Sequence, residues 1–282
     1  MKKFLIKVNP SKKNSRKVTE DVISILNNEN YDFRVCHEEN ADEMECCKGK
    51  IVSFEEGVKW CDLIITIGGD GTLLEVGKYV AGMKKPLLGI NTGRIGFLTA
   101  IEGNEVHLLK DLLNPEVFVI KKHNFIQARI NKGKWKYCLN DVVISKYMYS
   151  NTVDLSLYSN GNMLSRFSGD GIILATSTGS TAYSLSVGGP IVDSDLQAMI
   201  ISPVAPHTLN RTSMVLAKNK FIKIKANDRY CHTASVAFDG TDYVQIDADD
   251  EVEVRLSSKY VPIYTLCKQG QFEKVDKKLK SR

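Results

Sequence analysis

Cys61-Asp62-Leu63-Ile64-Ile65-Thr66-Ile67-Gly68-Gly69-Asp70-Gly71-Thr72-Leu73-Leu74 is the stretch whose reading decides the fold. Leu63, Ile64, Ile65 and Ile67 form a near-continuous apolar run, as in a strand covered on both faces. Residues 68–72 make a tight glycine-rich turn, and residues 73–80 read as a helix. Upstream, Phe4, Leu5 and Ile6 mark another apolar strand over 4–8, followed by a polar loop at 9–15. Val18, Val22, Ile25 and Leu26 then recur at helical spacing. Residues 32–35 read as a second strand, and 86–90 as a further one ended by Asn91-Thr92-Gly93. Strands alternating with helices predict an α/β N-terminal domain with a parallel, doubly wound sheet.

After about residue 115 the pattern changes. Short strand-like runs cover 118–122, 124–130, 135–139, 142–145, 153–158, 163–167 and 172–175, divided by turns at Asn131-Lys132-Gly133 and Ser159-Asn160-Gly161. Further runs cover 221–226, 235–238, 243–246, 251–256 and 261–266, with Asp239-Gly240 as a turn. Many short strands with close turns predict a β-rich, antiparallel, sandwich-like second domain. Its one helix is expected to begin near Thr181. At the far end Phe272, Val275 and Leu279 are spaced for an amphipathic helix with a lysine-rich outer face. The expected division is residues 1–100, with 267–282 packing back on them, and residues 101–266.

Composition narrows the function classes. The 282 residues carry 38 Lys+Arg against 33 Asp+Glu, a net charge of +5 with both signs mixed along the chain. A nucleic-acid binder would show a clear basic patch, and Lys277, Lys278, Lys280 and Arg282 read instead as a solvated helix face. Glu38, Glu39, Asp42, Glu43 and Glu45 read as an exposed acidic stretch. Hydrophobic residues at 43% and charged residues at 25% suit a folded soluble protein. No apolar run reaches the roughly 18 residues of a membrane span. Lys7 interrupts the N-terminal apolar stretch too early for a secretory leader. The seven cysteines form no C-x-x-C pair, and adjacent Cys46 and Cys47 suit neither an easy disulfide nor a zinc site. A reducing cytoplasm is the expected location. His37, His107, His123, His207 and His232 match no zinc-binding spacing, so no built-in metal site is expected.

The glycine turn is neither a P-loop nor a dinucleotide fingerprint, because both consensus patterns are absent. Its glycines allow close approach to the backbone, and N–H groups opening the next helix face an anion. Asp70 is the unusual member. Beside a phosphate cradle an acid repels phosphate unless it holds a metal or does chemistry, such as taking a hydroxyl proton during phosphoryl transfer. The alternative is an Asp that only caps the helix. A second turn, Gly169-Asp170-Gly171, precedes an apolar run. Then comes Thr176-Ser177-Thr178-Gly179-Ser180-Thr181-Ala182-Tyr183-Ser184-Leu185-Ser186-Val187-Gly188-Gly189-Pro190, in which seven residues are Ser or Thr. Such a segment offers hydroxyl and backbone N–H donors to a polar ligand, or is an ordinary capped loop. Tyr183, its one large side chain, either packs on a ligand or belongs to the core.

The two glycine turns, the hydroxyl-rich block, Leu88-Gly89-Ile90-Asn91-Thr92-Gly93-Arg94-Ile95-Gly96-Phe97-Leu98 and Leu139-Asn140-Asp141-Val142-Val143 together resemble the NAD kinase family. Order and spacing match over about residues 60–215. The first turn alone is shared with diacylglycerol-type lipid kinases and, loosely, with phosphofructokinases. The resemblance implies phosphorylation of the 2′-hydroxyl of the adenosine ribose of NAD, giving NADP, with ATP or inorganic polyphosphate as donor. Magnesium would arrive with ATP. Asp70 would be the general base and Gly71 would lie against the substrate, with Gly68, Gly69 and Thr72 in the phosphate turn. Phe97, Asn140, Asp141, Ser168, Asp170, Thr181, Ala182, Tyr183, Ser186 and Ala205 would contact NAD. Homodimers or homotetramers are implied, with part of each site supplied by a neighbouring subunit. No nucleic-acid or membrane partner is expected. Four positions depart from the family pattern: Asp141 replaces a longer Glu, Glu75 a basic residue, Ser168 an Arg found in some relatives, and Thr241 a Gln. The alternatives are a lipid kinase sharing the first turn and a non-catalytic dinucleotide-binding regulator.

Overall fold

A computed structural model describes residues 3–12, 14–36, 45–93, 96–147, 152–207, 211–227, 234–267 and 270–280. The chain divides into two compact units, Met1–Lys122 with Val261–Arg282, and His123–Tyr260.

The first unit is built on parallel strands. β1 (Lys3–Val8), α1 (Ser15–Asn28), β2 (Asp32–Cys36), β3 (Ile51–Val52), α2 (Phe54–Trp60), β4 (Leu63–Gly68), α3 (Asp70–Tyr79), β5 (Leu87–Asn91) and β6 (Ile101–Glu102) follow in order. β5, β4, β1, β2 and β3 lie side by side, every pair parallel. The end of the chain's last strand adds to β5, also in parallel, with Ile263 opposite Leu87. The period of two sorts each strand's side chains. Phe4 and Ile6 join the core that contains Val18, Val22, Ile23 and Leu26 of α1, while Leu5 points the other way, against Gly57 of α2. α2 was not among the elements expected from the sequence, yet Ser53 and Glu56 cap its start reciprocally. The unit continues past residue 100 because the 3₁₀ segment Gly103–Asp111 sends Val106 and Leu109 into the same core, joined by Phe118. The expected C-terminal helix is present as Gln271–Lys280. Its Val275 is buried and Lys274 donates to the Thr99 carbonyl.

The second unit is antiparallel. Its elements are β7 (Phe118–Ile130), β8 (Lys136–Cys138), β9 (Asp141–Lys146), β10 (Val153–Ser159), β11 (Asn162–Gly169), β12 (Gly171–Thr176), α4 (Tyr183–Ser186), β13 (Ala198–Val204), β14 (Met214–Ala217), β15 (Phe221–Ala226), β16 (Ala234–Phe238), β17 (Asp242–Ile246) and β18 (Glu251–Leu266), with a 3₁₀ turn at Thr178–Thr181 before α4. β14, β13, β12, β9, β16 and β17 make one sheet; β11, β10, β15 and β18 make the other, with β7 and β8 joined to β18. Val142, Ile144, Ile172, Leu174, Met199 and Ile201 face Leu155, Leu157, Ile222, Ile224, Val252 and Val254 in one core, so the sandwich expectation holds. The alternate residues Val143, Ile173, Ala175 and Ile200 form a second, smaller core with Val192. β9 and β12 are therefore apolar on both faces. The helix expected near Thr181 is a single 3₁₀ turn followed by the four-residue α4. Two pairs of expected strands are each one long strand, β7 and β18. β13 and β14 were not among the expected strands.

Candidate functional site

β4 ends at Gly68 and α3 begins at Asp70, so one glycine separates strand from helix. Asp70 does not cap its own helix. Its carboxylate accepts three successive backbone N–H groups from a distant segment: Phe97 donates to Oδ2 at 2.6 Å, and Leu98 and Thr99 to Oδ1 at 3.1 and 3.2 Å. The capping alternative is thereby replaced by a clamp on residues 97–99. Gly96 makes room for it: a Cβ there would lie 3.0 Å from Asp70 Oδ1 and 2.0 Å from Thr99 Oγ1. An ionised carboxylate has about four acceptor positions. Three are taken, and the one left is on Oδ2.

The outer side of this turn is open, since a Cβ added to Gly69 or Gly71 would meet nothing within 4 Å. Its inner side is tied down. The Gly68 carbonyl accepts from Thr92 N at 2.7 Å, and Asn9 Nδ2 donates to Thr72 Oγ1 at 3.2 Å. Asn9 follows β1, and β1 and β4 are the neighbouring strands from which the sheet order runs in opposite directions. Ligands of doubly wound sheets bind outside the carboxyl ends of such a pair. Glu75, the acidic departure, is exposed on α3, and Lys12 is exposed in the loop after β1.

In the second unit Asn140 and Asp141 open β9. A second aspartate, Asp239, grips them as Asp70 grips 97–99. Its Oδ2 accepts from Leu139 N at 2.8 Å, and its Oδ1 from Asn140 N at 2.8 Å and Asp141 N at 3.0 Å. The carbonyl side is fixed as well: Thr176 Oγ1 donates to Leu139 O at 2.6 Å and Thr176 N to Asn140 O at 2.8 Å. Gly179 sits against this segment so closely that a Cβ would lie 2.1 Å from Asn140 O. Asp141 is buried, 5% exposed, and Asn140 is half-buried. Nothing singled out Asp239 in the sequence beyond its place in an Asp-Gly turn. Thr241, the departure next to it, closes that turn by donating from Oγ1 to Phe238 O at 3.2 Å.

The hydroxyl-rich block is mostly internal. Thr176, Ser177, Thr178, Ser180 and Ser184 are buried. Ser180 Oγ accepts from Val192 N, Ser184 Oγ lies 2.9 Å from Ser202 Oγ, and Thr178 Oγ1 lies 2.8 Å from His123 Nδ1. These five side chains hold the loop rather than offer donors, because a buried hydroxyl needs a partner. Thr181, Ala182, Tyr183 and Ser186 remain at least partly accessible, and Tyr183 is 45% exposed. Tyr183 is thus not a core residue.

Asp170, Ser168 and Ala205 gather at the other end of β12. Asp170 Oδ1 pairs with Lys146 Nζ at 2.8 Å, its N–H donates to Val204 O at 3.0 Å, and the exposed His207 donates from its backbone N to Ser168 O at 2.9 Å. Ala205 holds φ +42°, and a Cβ on Gly169 would lie 2.7 Å from its carbonyl. β12 has six residues, which at about 3.4 Å each puts this group about 17 Å along the strand from the Asn140 group.

Among the described residues no three His, Cys, Asp or Glu side chains converge as a metal-holding group. His37, His232, Arg94, Ile95, Glu38, Glu39, Asp42 and Glu43 lie outside the described residues. No helix among the described residues is long and apolar enough to cross a membrane.

A family model described as the ATP-NAD kinase N-terminal domain matches residues 4–117, and one described as the ATP-NAD kinase C-terminal domain matches residues 139–266. The chain belongs to the NAD kinase family. It is 36% identical over 273 residues to an NAD kinase of Caldicellulosiruptor saccharolyticus, covering 96% of this chain and 97% of that one. Its fold is similar to that of yeast NADH kinase complexed with NADH, with a TM-score of 0.88 at 21% identity over 99% of this chain and 88% of that one. It is also similar to an NAD kinase from Archaeoglobus fulgidus in complex with ATP, with a TM-score of 0.72 at 23% identity over 99% of both chains. The second family model spans the hydroxyl-rich block as well as Asn140 and Asp239, which places the chain with NAD kinases rather than with lipid kinases that share only the glycine turn.

Proposed function

We propose that the chain transfers a phosphoryl group from ATP to the 2′-hydroxyl of the adenosine ribose of NAD, yielding NADP and ADP. The observation that carries this is the Asp70 carboxylate, fixed by three backbone amides beside an open glycine turn and keeping one acceptor position on Oδ2. A hydroxyl donating to that position is aimed and loses its proton to it as the new O–P bond forms. The N–H groups opening α3, with Gly68, Gly69 and Thr72, supply a cradle for phosphate, and Gly71 leaves room for the acceptor. Phosphoryl transfer of this kind rests on positioning and charge rather than on covalent chemistry by the protein. Magnesium enters as part of the nucleotide substrate. Inorganic polyphosphate is the alternative donor.

In the second unit Asn140 and Asp141 take the ribose and Thr181, Ala182, Tyr183 and Ser186 the dinucleotide; in the first unit Phe97 is assigned to NAD. Ser168, Asp170 and Ala205 take the NAD end of the site. The separation of the Asp170 and Asn140 groups along β12 supports a homo-oligomer in which one copy's Asp170 end meets another copy's Asn140 end. Mixing D170A with N140A, each impaired alone, should then restore part of the lost activity. The seven cysteines, none in a C-x-x-C pair, support a reducing, cytoplasmic location.

The direct test incubates the purified protein with NAD and Mg-ATP and detects NADP with an NADP-specific dehydrogenase. NADP should form catalytically. NAD binding without NADP, from either ATP or polyphosphate, would leave a non-catalytic dinucleotide-binding protein.

A further inference from the structure

We infer that Asp239 is a positioning residue for NAD, acting through the backbone of residues 139–141. Three consecutive N–H groups, from Leu139, Asn140 and Asp141, end on its carboxylate at 2.8, 2.8 and 3.0 Å. Asp239 in turn donates its own N–H to Asp141 O at 3.0 Å. Its backbone sits at φ +48°, a left-handed conformation that Asp and Asn adopt more readily than most residues, and Gly240 follows at φ +68°. The placement comes from the sheet. β16 pairs with β9 so that Phe238 lies opposite Val142, and the turn ending β16 therefore falls beside the residues opening β9.

The turn alone does not require a charge, because Asn fits the same backbone and closes the same hairpin. What requires a carboxylate is the count of donors. Two oxygens accept three N–H groups, whereas an Asn side chain would set its own NH₂ against one of them. Thr176 meanwhile holds the carbonyls of Leu139 and Asn140, and Gly179 blocks any drift of Asn140 O. Residues 139 and 140 are thus fixed on both the N–H and the carbonyl side. The Asn140 side-chain amide, half-buried and with no partner among the described residues, is the polar group left to meet a ligand. A side chain whose backbone is locked this way binds with little reorganisation. The inference rests on the assignment of Asn140 to the NAD ribose made above.

The experiment measures steady-state kinetics of NADP formation by the full chain, varying NAD and ATP separately, together with the melting temperature. D239N should lower kcat/KM for NAD by about tenfold or more, as loss of a buried amide's acceptor does. It should leave the KM for ATP within about twofold. N140A should lower kcat/KM for NAD as well, and D239N added to N140A should cost little more, since the two act through one contact. If N140A lowers kcat/KM for NAD while D239N changes only the melting temperature, the positioning role is overturned and the ribose assignment stands. If N140A has no effect, both fall. Should D239N not be recovered folded, D239E, which keeps both oxygens one methylene farther out, is read by the same criterion: unchanged kcat/KM for NAD overturns the proposal.

Discussion

The two units carry the same device in different settings. Asp70 and Asp239 each gather three successive amides on one carboxylate, two on Oδ1 and one on Oδ2. Asp70 opens a helix in a turn whose glycines face open space, and it keeps one acceptor position, which we assign to a substrate hydroxyl. Asp239 sits in a left-handed hairpin turn and fixes the segment 139–141, whose Asn140 side chain we assign to NAD. The device supplies order in both places. On the proposed reading, its surroundings decide whether the carboxylate takes part in chemistry or holds another residue for it.

The largest effect that would break this comparison is at Asp70. D70N keeps the size of the side chain but cannot accept a proton, and it sets an NH₂ against the amides of 97–99. Turnover should fall by about 10²-fold or more with a modest change in NAD affinity. Near-normal kcat in purified D70N would leave Asp70 as a clamp like Asp239 and nothing more.

Gly179 sharpens the comparison on the Asp239 side. G179A places a methyl 2.1 Å from a backbone oxygen that is hydrogen-bonded to Thr176 N. The segment must shift, and stability should drop by about 3 kcal/mol. Thermal or denaturant unfolding reads this directly, and a wild-type melting temperature would mean that 139–141 is looser than described. Y183A should be smaller still. Tyr183 is 45% exposed, so the apo melting temperature should stay within a few degrees of wild type, while NAD binding weakens by about 1–3 kcal/mol if the ring stacks on the ligand. Calorimetric NAD titration together with an apo melt separates the two; unaltered affinity would remove Tyr183 from the site.

The smallest effect is at the thiols. Burial pushes the Cys61 thiol up to about 11, so it reacts only when the first unit opens. Cys138, also buried, adjoins the segment held by Asp239. D239N should speed modification of Cys138 by about a few-fold and leave Cys61 unchanged, because local opening follows local bonding. Mass-spectrometric mapping of labelled cysteines at mildly alkaline pH gives both rates, and equal acceleration at the two sites would mean that the substitution loosens the chain as a whole.

What could be read from the sequence follows the range of the interactions. β4, the glycine turn and α3 declare themselves because an apolar run, two open glycines and a helical period lie within a few residues. The period-two pattern likewise gave most strands of the sandwich. β7 and β18 read as pairs of shorter strands because polar residues such as Lys121, Lys122, Ser258 and Lys259 interrupt them, whereas backbone pairing continues regardless of side-chain polarity. α2 is short, with only Gly57 and Val58 buried, and leaves almost no helical period to detect. The clamps are invisible locally. Asp70 meets its amides 27 to 29 residues away and Asp239 meets its own 98 to 100 residues away. The hydroxyl-rich block left two readings open: five of its side chains point inward, a fact fixed by β13 and the Val192 loop rather than by the block itself.

The most direct measurement is a side-by-side determination of kcat and of the NAD dissociation constant for D70N and D239N. The expected result is a crossed pattern: D70N loses turnover by about 10²-fold or more and keeps its NAD affinity, whereas D239N loses NAD affinity by about tenfold and keeps most of its kcat. Two variants with the same profile, either both losing turnover or both losing affinity, would contradict the division of labour between the two aspartates.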